Sequence, residues 1–527
     1  MDEIPLIIFE DDHLLVINKP PGISTHSPDN LTTVGLYEWL SNRLEKWKNL
    51  GIHQRLDKDT SGVLVFSKTQ TAKKALALQF ENHLVKKRYL MLSHKFHDNK
   101  EILVESDIVK IQGQYIAKSL KQNPAKTKFR FISKLNNFYL IEAIPLTGKT
   151  HQIRIHASRS GFPVLGDNLY NGMPFHRLCL HAQSIEFNHP ISNKLLKFEA
   201  PVDFFEPPYI TLRKAFINQN KTNAYRILHG QADNYPGVFI DVLNNILLIQ
   251  SELTISEIKK ELVHELQQYT NASVILYKKL VKNPRSLDTD TTHPESITGK
   301  LENSHVIAKE NGVHYNLCFN KGYSFGLFLD QRENRNRILT GYISKDFHIP
   351  AGKTQSVLNL FAYTCGFSLC AALAGFKTTS VDLSATYLEW GKSNFKLNNI
   401  DTSNHELIKG DVFVWLKKFE KLNRKFSLII IDPPTFSSSK SSGTFRAERD
   451  YPTLIASSIN LLDRNGILLL CSNTSKIPHK SFYKMAIESA NKSGRKIIKE
   501  FIAHAGPDFP YSKHESASFK SIWLQLN

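Results

Sequence analysis

The sequence predicts a multidomain chain of three unlike parts. These are a mainly-β α+β domain over residues 1–210, a small α+β insert over 224–300, and a doubly wound α/β, Rossmann-like domain over 315–527. Three observations predict this. The chain has 527 residues, which at roughly 100–200 residues per domain means three or four domains. The first part mixes short β-branched runs with Pro and Gly punctuation, whereas the last part repeats strand, turn, helix. Between the first and second parts the composition turns polar and basic, with Arg213-Lys214 and then Asn218 to Asn223, which reads as a linker over 208–226.

Taken in order, Leu14-Leu-Val16 and Val63-Leu-Val-Phe66 are strand-like runs of the first domain. In the insert, Val238–Val242 and Ile246–Ile249 read as strands. They precede a helix over Ile255–Gln268, with Ile258, Leu262 and Leu266 four apart. Residues 285–298 are polar and read as a flexible loop. In the last domain Val357–Leu360 is a buried strand, Ser368–Ala374 a helix closed by Gly375, and Thr378–Asp382 a second strand. Ser384 caps a helix that carries Leu388, Gly391 and Phe395 on one face. Leu428–Ile431 and Gly466–Cys471 are wholly apolar, as central parallel strands are.

The chain carries 67 Lys and Arg against 49 Asp and Glu, a formal net charge of +18. Such an excess favours a polyanionic partner, nucleic acid before an acidic membrane surface. The 10% of aromatic residues supplies stacking groups for unpaired bases. Five Cys are scattered without a Cys-x-x-Cys pair, which is reduced-thiol usage with no metal-ligand spacing. The acidic start Met1-Asp2-Glu3 lacks the basic region of a signal peptide, and no run approaches the 18 or so apolar residues of a membrane span. The expectation is a cytoplasmic protein with no membrane association and no obligate protein partner.

The most informative stretch is His53-Gln-Arg-Leu-Asp57-Lys-Asp-Thr60-Ser61-Gly62, a carboxylate between an Arg and a turn, just before a strand. In a cleft facing an anionic substrate, that carboxylate can serve as nucleophile or base. Alone it would read as a turn Asp capping backbone N–H groups. Three other segments accompany it: Ile7 to Gly22, ending Asn18-Lys19-Pro20-Pro21-Gly22; Lys87-Arg88-Tyr89-Leu90; and Leu146-Thr-Gly-Lys-Thr-His151-Gln-Ile-Arg154-Ile-His156 through Gly166-Asp167. With these four blocks, roughly the first 200 residues resemble the RluA-type pseudouridine synthases. Gln54 stands where that family's signature has His, and no S4-type RNA-binding domain precedes the motif.

The resemblance implies that Asp57 is the catalytic aspartate that opens uridine isomerisation, and that the reaction needs no cofactor. It implies that Tyr89 stacks on the flipped base and assists proton removal. Arg154 would pair with the aspartate, keeping a carboxylate ionised inside a closed pocket. Taken singly, Tyr89 reads as a half-buried strand aromatic and Arg154 as a surface or phosphate arginine. His151 and His156 read as packing or RNA-backbone residues, with no acidic partner at ligand spacing.

A second constellation lies in the last domain. Asn359-Leu-Phe361-Ala-Tyr363-Thr-Cys365-Gly366 joins a strand to a helix with a single Gly, which serves a dinucleotide pyrophosphate poorly. Asp382, Asp411 and Asp432 each follow a strand, where such folds bind ligands, the last within Asp432-Pro433-Pro434-Thr435-Phe436. Together with Tyr225–Gly230 and Asp330-Gln-Arg332-Glu-Asn-Arg335, this makes residues 224–527 resemble the class I S-adenosylmethionine-dependent RNA methyltransferases of large-subunit ribosomal RNA. The resemblance implies that Phe361, Asp382, Asp411 and Asp432 hold S-adenosylmethionine. Pro433, Pro434 and Phe436 would present the base, and Lys440, Arg446 and Arg449 could meet phosphate. Relatives that methylate carbon five of cytosine need a Cys nucleophile, yet the matching stretch reads Cys471-Ser-Asn473. Cys471 would lie about 6–7 Å back along the strand, and reads as a core thiol. The pattern is closer to that of the methyltransferases acting on nitrogen seven of guanine.

Overall fold

The computed structural model describes residues 4–96, 101–118, 124–280, 293–301, 304–320, 324–350, 355–439, 443–512 and 519–527. The chain divides into two units, one holding residues 1–28 and 35–217 and the other 29–34 and 218–527.

In the first unit, strands β1 (Ile7–Glu10), β2 (Leu14–Lys19), β3 (Gly51–Ile52), β4 (Ser61–Ser67), β5 (Lys86–Ser93), β6 (Glu101–Ile111), β7 (Gln114–Lys118), β8 (Ala125–Leu135), β9 (Phe138–Pro145), β10 (Leu180–Asn188) and β11 (Leu195–Glu199) form one sheet. Its main order is β1-β2-β4-β10-β5-β9-β8-β6-β7. The β4–β10 pairing is parallel and lies inside the sheet, between β2 and β5. Every residue of β4 is buried, as expected of a strand covered on both faces. Helices α1 (Leu36–Ser41), α2 (Gln70–Glu81), α3 (Gln152–Arg159) and α4 (Pro208–Phe216) complete the unit.

The polar stretch expected to link the domains is helical in its first half. Pro208 stands at the first turn of α4, and Tyr209, Ile210, Leu212 and Phe216 are buried. The apolar face is continuous, so the chain folds back on the first unit. Arg213, which made the segment look solvated, is 1% exposed.

In the second unit, β12 (Ala224–His229), β13 (Val238–Leu243), β14 (Ile246–Ser251), β15 (Val274–Lys279) and β16 (Glu295–Thr298) make a five-stranded sheet, with α5 (Lys260–Thr270) beside β14 and β15 in sequence. The expected helix over 255–268 starts later. Thr254 and Glu257 form a capping box around a single 3-10 turn, and α5 begins only at Lys260. The expected loop over 285–298 also ends in a strand, because β16 pairs antiparallel with β15, while 281–292 lie outside the described residues.

A hairpin of β17 (His305–Glu310) and β18 (Val313–Cys318), helix α6 (Arg332–Thr340) and a short pair β19 (Tyr342–Ser344) and β20 (Phe347–His348) lead into the last sheet. That sheet takes β21 (Ser356–Leu360), β22 (Lys377–Asp382), β23 (Glu406–Lys409), β24 (Phe426–Ile431), β27 (Leu462–Ser472), β28 (Ile497–Ala503) and β29 (Lys520–Leu526), in the order β23-β22-β21-β24-β27-β29-β28. A separate hairpin, β25 (Phe436–Ser439) with β26 (Gly443–Arg446), follows β24. Helices α7 (Gly366–Leu373), α8 (Ala385–Leu397), α9 (Val412–Lys421), α10 (Ala447–Ile459) and α11 (His479–Lys492) connect the strands. The order reverses at β21, so connections leave to opposite sides of β21 and β24 and open a crevice at their carboxyl ends. Among the described residues no helix is long and apolar enough to cross a membrane.

Candidate functional sites

Asp57 lies on the loop entering β4, and the loop is tied down on all sides. The Thr25 hydroxyl donates to the Leu56 carbonyl at 2.8 Å and accepts the Leu56 N–H at 3.1 Å. Lys19, wholly buried, donates to the carbonyls of Pro20, Ile23 and Lys58 at 2.8–3.0 Å. Burial lowers its pKa to about 7, against the opposing charges of Asp59 and Asp57. Gly62 has φ +119°, and a Cβ there would meet the Ala182 backbone at 2.3 Å. The glycine after Thr60-Ser61 is therefore required for the parallel β4–β10 contact that fixes the end of the loop.

Arg154, in the first turn of α3, reaches Asp57. Its Nη1 donates to Asp57 Oδ2 at 3.0 Å. Its Nε and Nη2 donate to the two oxygens of Asp167 at 2.7 and 2.8 Å, the bidentate geometry that suits guanidinium to carboxylate. Burial would lower the Arg154 pKa, but Asp167 and then Asp57 raise it beyond its ordinary value. Tyr89 stands on β5, and its phenol pKa is raised, first by burial and then by Asp57. The closed pocket expected around Asp57 is open, since its side chain is 30% exposed while that of Arg154 is 9% exposed. Placement on a loop rather than on a strand leaves the carboxylate facing solvent.

Three further residues join this site. Asp167 is fully buried and holds the arginine. His151 places Nε2 3.7 Å from Asp57 Oδ2 and Nδ1 2.7 Å from the Tyr170 hydroxyl, and the Tyr170 ring lies under the Arg154 guanidinium at 5.1 Å. His151 has φ +57°, an uncommon conformation for a side-chain-bearing residue and frequent at functional positions. The His-x-x-Arg spacing was the available signal, but nothing local shows that Asp57 is the acidic neighbour. His156 is a packing residue, buried between Ser106 and Thr127 hydroxyls at 3.0 and 2.9 Å.

In the second unit a cavity of about 690 Å³ opens at the carboxyl ends of β21, β22 and β24. Phe361, Asp382, Asp411, Asp432, Pro433 and Pro434 all line it. Asp382 accepts the N–H groups of Tyr363 and Ser384, both at 2.8 Å, and burial raises its pKa. Asp411 caps α9, accepting from Phe413 and Val414 at 2.9 and 3.3 Å. Asp432 Oδ2 accepts from Gln331 at 3.0 Å, and burial followed by the charge of Asp330 pushes its pKa up to about 7. Phe361, Tyr363 and Cys365 take left-handed φ values of 59°, 49° and 61°. Strain of this kind costs roughly 1–3 kcal/mol per residue and persists where the surroundings dictate it.

Phe436 departs from this gathering. It is 36% exposed on the β25–β26 hairpin, whereas Phe445 from the other hairpin strand lines the cavity. Arg449 lines it too, while Lys440 lies outside the described residues. Cys471 is fully buried on β27, and burial raises its pKa well above the ordinary thiol value. Asn473, two residues on, faces the cavity.

The family model for RNA pseudouridylate synthase matches residues 13–159, and that for S-adenosylmethionine-dependent methyltransferase matches 226–522. YwbD of Bacillus subtilis, provisionally named a ribosomal RNA large subunit methyltransferase, is 33% identical over 297 residues, covering 55% of this chain and 71% of YwbD. Ribosomal RNA large subunit methyltransferase K/L of Psychrobacter cryohalolentis is 44% identical over 174 residues, covering 32% of this chain but only 21% of that protein. Among solved structures, SMU.776, provisionally named a methyltransferase and complexed with SAH, is 26% identical with a TM-score of 0.52, covering 63% of this chain and 86% of that one. This chain belongs to the S-adenosylmethionine-dependent methyltransferase family and carries, ahead of that domain, an RNA pseudouridylate synthase domain, two RNA-modifying enzymes on one polypeptide.

Proposed function

We propose that both enzymes act in the cytoplasm on large-subunit ribosomal RNA, the first isomerising a uridine and the second methylating nitrogen seven of a guanine. The first domain would extend over 1–210 and the methyltransferase domain over 315–527, with the insert 224–300 docking RNA. The ribosomal substrate is supported by the names of the relatives above. The choice of guanine rests on one observation: Asn473 faces the cavity while the thiol of Cys471 is sealed beneath it.

In the first site Asp57 is the catalytic carboxylate, working without a cofactor. Arg154 balances its charge and aims it, and Asp167 prevents the guanidinium from turning away. Tyr89, whose phenol is made a weaker acid by burial, stacks on the extruded base and assists proton removal from the sugar. Extruding a base costs a few kcal/mol of stacking, least where the base is already unpaired.

In the second site S-adenosylmethionine, when bound, supplies an electrophilic methyl group. The residues present fit it: carboxylates at the ends of adjacent strands suit ribose hydroxyls and an amino group, and Phe361 and Phe445, 5.6 Å apart, offer faces for adenine. Asp382, Asp411 and Asp432 would hold it, with Phe361. Pro433, Pro434 and Phe436 would orient the base. Nitrogen seven of guanine is already nucleophilic, so no protein nucleophile is required and an amide at 473 suffices. The test is nucleoside mass spectrometry of ribosomal RNA from cells with and without the gene, using a carbodiimide label for pseudouridine. Loss of one pseudouridine and one 7-methylguanosine is expected. Loss of a 5-methylcytidine in its place would overturn the guanine assignment.

A further inference from the structure

A second cavity of about 200 Å³ adjoins the first, sharing Ser324, Leu327 and Phe328 as wall. Its other lining side chains include Phe319, Phe325 and Phe509, and among them stands one acidic group not tied to an arginine, Asp330. The other carboxylate on its wall, Asp241, is held by Arg226 and by Gln250 at 2.8 Å. Asp330 is different, because its Oδ1 is shut from water and has no hydrogen-bond partner. A carboxylate oxygen left so is costly unless a donor arrives. Across the boundary, Asn473 Oδ1 is in the same condition. Asp330 and Asn473 interact, and the charge of Asp330 is felt at Asp432, so these groups mark the junction of the two cavities.

Two unmatched acceptors beside aromatic walls call for a flat ligand with donors on its edge. Guanine presents N1–H and its 2-amino group side by side, a pair of donors that two neighbouring acceptor oxygens can take together. Cytosine presents a donor beside an acceptor, and that acceptor would face the Asp330 oxygen. Nitrogen seven lies on the opposite edge of guanine, so a base gripped by that donor edge in the smaller cavity turns nitrogen seven toward the larger one.

We propose that Asp330 is the base-reading residue of the methyltransferase, its unmatched Oδ1 together with the unmatched Oδ1 of Asn473 accepting the N1–H and 2-amino groups of the target guanine. The inference rests on the guanine reading above and adds the residue that enforces it. Asp330 is a specificity residue and takes no part in bond making, so losing it raises KM for RNA far more than it lowers kcat.

The experiment uses the full chain with S-adenosylmethionine, and ribosomal RNA from cells lacking the gene as methyl acceptor. GMP, 7-deaza-GMP, IMP, 1-methyl-GMP and CMP are added as competing inhibitors. GMP and 7-deaza-GMP should inhibit equally, since both keep the donor edge. IMP, lacking the 2-amino group, should be about tenfold weaker, and 1-methyl-GMP and CMP should not inhibit. Asp330→Asn should erase the preference for GMP over IMP while S-adenosylhomocysteine still raises the melting temperature as in the parent. If 1-methyl-GMP inhibits the parent as well as GMP does, or if Asp330→Asn keeps the preference, the role of Asp330 is refuted although guanine remains the base. If CMP alone inhibits, the guanine reading itself has failed. Because the analogue series is run on the unaltered protein, the test stands even if the variant folds poorly.

Discussion

Replacing Asp167 by Asn tests how the first active site is built. Asp167 is fully buried, and its two oxygens take two hydrogen bonds from the 9%-exposed Arg154 at 2.7 and 2.8 Å. An amide in its place keeps one acceptor and turns an N–H₂ toward the guanidinium, leaving a buried cation half-matched. Removing one partner of a buried ion pair costs about 3–5 kcal/mol, and two charge-assisted hydrogen bonds of roughly 1.5–3 kcal/mol each give the same range. For a unit of this size, about 2–4 °C per kcal/mol puts the fall in melting temperature at roughly 6–20 °C. Differential scanning calorimetry of the full chain reads this, with S-adenosylmethionine added to separate the unfolding of the two units. Pseudouridine yield, measured at a temperature where the variant is folded, should drop at least tenfold because Arg154 no longer points at Asp57. Methyl transfer should be unchanged. A variant that melts early but forms pseudouridine at the parental rate would show that Asp167 only stabilises, and one that melts and reacts like the parent would refute the pairing itself.

Asp57→Asn should abolish pseudouridine formation and leave methylation intact; carbodiimide mapping and mass spectrometry on the same RNA read both, and loss of both would mean that the sites are coupled. Cys471→Ala should keep methyl transfer within a few-fold, and a dead variant would restore a thiol nucleophile and the cytosine reading. Asp432 carries a pH signature. Its folded-state pKa is raised to about 7, above an unfolded value of about 3.9, so its contribution to stability is full below pH 4 and is lost as pH rises through 7. Asp432→Asn should therefore match the parent near pH 4 in urea melts and become progressively more stable than it up to about pH 8. A stability difference that does not grow with pH would contradict the burial inferred for this carboxyl group.

Much of the second unit was legible because its signals are local. Ser384 accepts the Tyr387 N–H and Asp411 caps α9 within three residues of itself, and the strands β21 and β24 are mostly apolar and buried. Charged segments that fold inward were not legible. Helix α6 reads Arg-Glu-Asn-Arg-Asn-Arg, which looks like a solvated surface, yet Arg332 through Ile338 are all buried. What sinks it is long-range pairing: Arg335 with Glu310 on β17, and Arg332 with Asp508 near the other end of the unit. No periodicity announces such partners, since burial follows from charge neutralisation and not from an apolar stripe. Asp167 was overlooked for the same reason, as it lies 13 residues from Arg154 with nothing between them to suggest a bond.

These pairings also say where the surplus positive charge is used. Arg154, Arg226, Arg332 and Arg335 are largely buried and each meets a buried carboxylate, so they contribute almost nothing to the field outside. The net +18 is therefore carried by other Lys and Arg, among them the exposed Arg449 on the wall of the larger cavity. Attraction to the RNA backbone is then general and salt-sensitive, falling with added salt as counterions compete. Selection of the base is left to a few acceptors, Asp57 held by Arg154 in one site and the unmatched oxygens of Asp330 and Asn473 in the other. An enzyme built this way binds many RNA segments loosely and reacts only where an extruded base supplies donors to the unmatched acceptors of the site.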